Sequence, residues 1–88
     1  MVKKTVKIEN KLGLHARPAT LIVKTASKYK SEISIKKDDI IVNGKSIMGV
    51  MMLAAENGSE IEIICEGNDE KEAIDAISKI IKDKFYEE

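Results

Sequence analysis

Aromatic side chains, cysteine, histidine, arginine and proline are all scarce in this 88-residue chain, and most of these shortages close off a class of function. Tryptophan is absent, and the only aromatics are Tyr29, Phe85 and Tyr86, none inside a stretch that reads as a strand. A sheet that stacks RNA bases needs exposed aromatics on its strands, so that reading ranks last. Cys65 stands alone and cannot form an intramolecular disulfide, and one cysteine with one histidine is too few soft ligands for a structural zinc site. Neither a metal nor another cofactor is expected, and the cysteine usage suits a reducing cytoplasm. Formal net charge is zero although charged residues make up 34% of the chain, which leaves no positive excess to neutralise nucleic-acid phosphates or an anionic membrane. No run approaches the roughly 18 consecutive apolar residues of a membrane span, and MVKKTVKI at the N-terminus lacks the apolar centre of a signal peptide. The expectation is a cytoplasmic protein with no direct nucleic-acid partner and no membrane insertion.

What is present is enough for one domain over residues 1–88. By the scaling of surface with size, such a chain buries roughly 60 to 65% of its unfolded surface, so its core is small. A hydrophobic content of 43% still sets it apart from disordered chains. Val2, Lys4, Val6 and Ile8 alternate with Lys3, Thr5, Lys7 and Glu9, the period of a strand. Asn10 to Leu14 form a loop, and a first helix runs from about Ala16 to Lys28. Tyr29 to Ser31 connect it to a second strand, Glu32 to Lys36. Asp38-Asp39 turns the chain into a short third strand, Ile40 to Val42, and this close spacing implies a hairpin. Ser46 caps a short helix from Ile47 to Leu53 or Ala54, with Asn57-Gly58 as its stop. Glu60 to Glu66 form a fourth strand, with Cys65 as a small core residue. Asp69 and Glu72 then match a capping box, followed by helical spacing of Ala73, Ile74, Ile77, Ile80, Ile81 and Lys84 to the C-terminus. The sum, β-α-β-β-α-β-α, predicts an α+β domain: a four-stranded antiparallel sheet with three helices on one face.

The scarce residues are not scattered. His15, Arg17 and Pro18 are the only histidine, arginine and proline, and they fall within four consecutive positions. Every other basic residue is lysine, so an arginine two places from the histidine is there for geometry and not for charge alone. Gly13 permits a tight turn, and Pro18 suits a first helical turn because its missing N–H would go unbonded there anyway. Ala19, Ile22, Val23 and Ala26 continue as a core-facing stripe. His15 therefore sits at or just before a helix N-terminus, where the helix carries roughly half a positive charge and unpaired N–H donors. An imidazolium is disfavoured there, so the ring is expected to be neutral and nucleophilic near pH 7. The same N-terminus welcomes a phosphate, and a guanidinium adds planar, charge-assisted hydrogen bonds. A nucleophilic ring, an anion cradle and an arginine point to phosphoryl transfer. The plainer alternative is that His15 caps the helix and the Arg17 stem covers apolar surface.

Ile47, Met48, Val50, Met51, Met52 and Leu53 make the second helix apolar on nearly every side. So short a helix cannot bury every face, so part of it must be exposed, as core and docking roles compete. Ser46 is a sufficient N-cap on its own account.

The run GLHARPA resembles the active-site signature of the HPr family, the histidine-containing phosphocarriers of the bacterial sugar phosphotransferase system. Val42-Asn43-Gly44-Lys45-Ser46-Ile47-Met48-Gly49-Val50-Met51 resembles the regulatory serine segment of that family in low-GC Gram-positive bacteria. With length and element order also in agreement, the resemblance covers essentially the whole chain. It implies an open-faced β-sandwich and a monomeric carrier that is a substrate of its partners, not an enzyme with turnover of its own. His15 would be phosphorylated on Nδ1 by enzyme I, with phosphoenolpyruvate as the original donor, and would pass the group to enzyme IIA domains. Arg17 would assist, with Ala16, Arg17 and Pro18 binding the phosphate. Leu14, Ile47, Met48 and Met51 would dock partners. Ser46 would be the target of HPr kinase/phosphorylase, with a catabolite-control transcription factor as a further partner. Many relatives carry a small polar residue where this chain has Leu12, so a side-chain hydrogen bond to the active loop is expected to be missing. The rival is an interaction-only regulator of the same fold, acting through Ser46 and the methionine-rich helix. The presence of His15 counts against it.

Overall fold

The computed structural model describes residues 1–87. Its elements are β1 (Val2–Lys7), α1 (Ala16–Ala26), β2 (Glu32–Lys37), β3 (Ile40–Asn43), α2 (Ile47–Met52), β4 (Glu60–Glu66) and α3 (Glu70–Lys82). The four strands form one antiparallel sheet in the order β1-β4-β2-β3, and the two central strands, β4 and β2, carry the most buried residues. Register follows the alternation in the sequence. Val6 faces Ile61, Ile33 faces Cys65 and Ile35 faces Ile63, which places one apolar set under the helices. A one-residue slip would turn that set to solvent. The opposite face carries cross-strand pairs of unlike charge, Lys7 with Glu60 and Lys36 with Glu62. This is the open face of the expected architecture.

The helices bury the stripes that their spacing predicts. In α1 the buried residues are Pro18, Ala19, Ile22 and Ala26, with Val23 packed at the margin. In α3 they include Ala73, Ile74, Ile77, Ile80 and Ile81, each isoleucine contributing about 1.5 to 3 kcal/mol by leaving water. The α3 helix packs on β1 and β4, and α1 packs on α3. Cys65 is fully buried between them and the sheet, and burial foremost, with the charges of Glu70 and Asp69 adding, pushes its thiol up to about 11. It is an inert core residue.

Two ends depart from expectation. Asp69 precedes α3 but does not cap it with its side chain. Its carboxylate instead accepts hydrogen bonds from the Lys30 amide at 2.9 Å, the Ser31 amide at 3.0 Å and the Ser31 hydroxyl. The Ser31 hydroxyl above all, with the Lys30 amide, holds the Asp69 carboxyl below its usual range. The turn after α1, which ends in buried Ser31, has orphan donors to satisfy, and it outcompetes the helix for this carboxylate. Glu70, not Glu72, reaches back to the Gly67 amide at 3.0 Å. Gly67 has φ +154° and sits so close to Ser31 that a Cβ would meet the Ser31 Cα at 2.7 Å.

The second departure is the C-terminus. Instead of continuing through Lys84, α3 stops at Lys82, and Lys84, Phe85 and Tyr86 take φ values of +57°, +57° and +60°. They form a left-handed turn closed by the Tyr86 amide on the Asp83 carbonyl and the Glu87 amide on the Lys84 carbonyl, both at 3.0 Å. Left-handed backbone costs a non-glycine residue roughly 1 to 2 kcal/mol. The anchor that offsets this is Phe85, 3% exposed, which plugs the end of the core.

Candidate functional site

The loop before α1 is built around backbone contacts. The Gly13 amide donates to the Asn10 carbonyl at 3.2 Å, the His15 amide to the Gly13 carbonyl at 3.0 Å, and the Leu14 amide to the Ala55 carbonyl at 2.9 Å. Gly13 has φ +70°, and a Cβ there would lie 2.4 Å from the Ala55 oxygen, so the close approach of a second chain segment demands glycine as much as the turn does. Asn10, fully buried, braces the loop: its Nδ2 donates to the Gly13 carbonyl at 2.8 Å and to Glu87 Oε1 at 3.1 Å. Leu12 projects outward with 72% of its surface exposed, and the side-chain brace on the loop comes from Asn10.

His15 is the N-cap residue of α1 in extended backbone, and its ring makes no capping bond. Nε2 lies 3.0 Å from Glu87 Oε2, and the side chain keeps 36% of its surface exposed. Plain capping therefore does not account for this histidine. The ring stands at the mouth of a helix whose first-turn amides, those of Ala16 and Arg17 among them, have no backbone acceptor within the helix. Ala16 and Arg17 are exposed. The guanidinium-bearing side chain lines an open groove with Lys11, Leu12, Phe85, Tyr86 and Glu87. The ring and the arginine are both open to solvent.

Two of the residues expected at the surface are not there. Pro18 is buried against the core and has no N–H, so it shapes the first turn and cannot hold a phosphate. Leu14 is 5% exposed and belongs to the core, because its amide is drawn to Ala55 and its side chain follows inward. The exposed apolar side chains are instead those of Ile47 (41% exposed), Met48 (72%) and Met51 (39%), joined by Met52 (69%), a residue outside the expected set. In α2 itself only Val50 is buried. A single turn and a half of helix has one inward face, so the other methionines have nowhere to go but out. Because α2 packs on α1, and Ala55 just beyond it bonds the His15 loop, the apolar patch and the histidine sit on neighbouring elements. Ser46 caps α2 as expected, its hydroxyl accepting from the Gly49 amide at 3.0 Å.

Glu87 and Asn10 escaped the sequence reading. Asn10 carries a local signal, an asparagine three residues before a glycine in a loop. Glu87 carries none, since its contact with His15 spans 72 residues.

Comparison with known proteins is unambiguous. Residues 2–83 match the family described as the PTS HPr component phosphorylation site. The phosphocarrier protein HPr of Treponema pallidum is 53% identical over 88 residues, covering the whole of both chains. The crystal structure of HPr-C-His from Thermoanaerobacter tengcongensis superposes with a TM-score of 0.96 at 51% identity, covering 100% of this chain and 99% of that one. Crh, a catabolite-repression protein of Bacillus subtilis whose crystal structure is described as a swapped dimer, is 40% identical over 96% of this chain and 97% of its own, with a TM-score of 0.77. A lone half-exposed histidine at a helix mouth, an adjacent arginine and full-length similarity together lead to one conclusion: this chain belongs to the HPr family, the phosphocarriers of the phosphotransferase system.

Proposed function

We propose that His15 accepts a phosphoryl group from phosphorylated enzyme I, originating in phosphoenolpyruvate, and donates it to enzyme IIA domains. The observation that carries this is the half-exposed His15 ring at the N-terminus of α1, paired at Nε2 with Glu87 and flanked by an exposed arginine. Nδ1, the nitrogen not used in that pair, is the nucleophile. The incoming phosphoryl oxygens are met by the amides of Ala16 and Arg17, the positive end of the helix and the guanidinium, which together bind an anion without a metal. The carrier leaves general chemistry to its partners, which dock on Ile47, Met48 and Met51, with Met52 beside them. Methionine suits a surface that must fit several partners.

Ser46 is the proposed regulatory site, with HPr kinase/phosphorylase and a catabolite-control transcription factor as partners. A phosphate there adds about −1.5 to −2 charges beside the exposed methionines, at an N-cap that tolerates negative charge. Its effect is then repulsion at the docking face, not unfolding. The protein acts in the cytoplasm as a monomer. Analytical ultracentrifugation tests the last point, and a stable dimer refutes it.

Incubation with phosphoenolpyruvate and enzyme I should add one phosphate, labile in acid and stable in base, at His15 Nδ1. His15→Ala should keep the fold, as read by circular dichroism, and lose the label. Label retained in a folded His15→Ala protein removes the proposal and leaves the interaction-only regulator in its place.

A further inference from the structure

One feature of the site belongs to no motif, namely the carboxylate that the C-terminal turn presses against the histidine. Three consecutive non-glycine residues, Lys84, Phe85 and Tyr86, hold left-handed backbone, and buried Phe85 pins the turn in place. The residue that this turn delivers is Glu87. One of its oxygens, Oε2, meets His15 Nε2 at 3.0 Å, and the other, Oε1, accepts from the buried Asn10 amide at 3.1 Å. The same Asn10 amide holds the Gly13 carbonyl of the active loop. Loop, ring and C-terminus are thus tied through one carboxylate whose side chain is 22% exposed. Strained backbone persists where surrounding structure over-determines it, and such segments cluster at functional sites.

We propose that Glu87 is a positioning residue for phosphoryl transfer at His15, a role that rests on the carrier reading above. A carboxylate can only accept, so Nε2 must carry the proton, and the lone pair is confined to Nδ1. In the forward step that lone pair bonds to phosphorus while the donor's P–N bond breaks and its electron pair returns to the donor nitrogen. The Nε2 proton stays where it is. The His15 ring gains the positive charge, and Glu87 offsets it at hydrogen-bond distance. Donation to the acceptor reverses the same bookkeeping. Asn10 fixes the second carboxylate oxygen and so holds in place the acceptor that orients the ring.

The test uses the full chain with Glu87→Ala and Glu87→Gln, each checked for native circular dichroism. The ring tautomer is read from ¹⁵N shifts at a pH where His15 is neutral, and the rate of phosphoryl uptake from enzyme I is read by rapid quench. Glu87→Ala should convert a ring protonated almost wholly at Nε2 into a tautomer mixture and slow uptake about tenfold, the size expected from losing one charge-assisted hydrogen bond. Glu87→Gln, which keeps an acceptor oxygen, should restore the tautomer and recover part of the rate. Wild-type rates in both variants, or a changed tautomer with an unchanged rate, overturn the assignment. A wild-type protein that takes no phosphoryl group sinks the carrier reading itself, whereas a labelled wild type with fully active variants sinks only the role of Glu87.

Discussion

Leu14→Ala separates packing from docking at one of the two positions where the expected role and the structure disagree. Leu14 adjoins the histidine and invites a docking role, yet only 5% of it is exposed. Truncation removes roughly three methylene equivalents at about 0.8 kcal/mol each, near 2.4 kcal/mol of transfer energy. A partly collapsed cavity adds of the order of 1 kcal/mol at about 24 cal/mol per Å³. The loss should be about 3 kcal/mol, which in a domain of this size lowers Tm by roughly 12 to 24 °C. Urea unfolding followed by circular dichroism measures it, with the midpoint shifted and the slope unchanged. Met48→Ala is the control: its side chain is 72% exposed, so stability should move by no more than about 0.5 kcal/mol while partner affinity falls. A Leu14→Ala protein that loses less than about 1 kcal/mol of stability but binds its partners poorly would show that the side chain works at the surface, and the reasoning from burial would fail.

Two further outcomes follow from the polar contacts. Because the Ser31 hydroxyl above all holds the Asp69 carboxyl below its usual range, this contact stabilises the fold above the unfolded carboxylate value of about 3.9, and the stabilisation is lost as pH falls through the lower folded value. Urea midpoints of wild type and Ser31→Ala should therefore converge toward low pH, and parallel curves from pH 6 to 2 would count against the linkage. Ser46→Ala removes the cap on the Gly49 amide and should lower stability by about 1 kcal/mol, or roughly 4 to 8 °C in Tm. Ser46→Asp, which keeps an acceptor, should lie near wild type by calorimetry, and equal losses in both variants would mean that the hydroxyl does not act as a cap.

The fold was legible because each element carries its own period. Alternation along β1 and β4, the isoleucine stripe of α3 and the Gly13 and Pro18 breaks around His15 are short-range patterns that local backbone geometry enforces. Helix ends were less so. Asp69 looked like a cap and serves another segment, since the turn at Lys30 and Ser31 had donors that local sequence could not reveal.

The site divides along the same line. Sequence by itself determined the histidine at the helix mouth, the arginine beside it, the loop glycine, the Ser46 cap and the apolar character of α2, because each depends on neighbours within a few positions. Only the tertiary structure decided that Leu14 and Pro18 turn inward, that Met52 joins the exposed patch, and that a glutamate 72 residues away in sequence closes on the histidine. Periodicity reports which face a side chain takes on its own element, whereas burial and long-range hydrogen bonds depend on what the rest of the chain packs against that face.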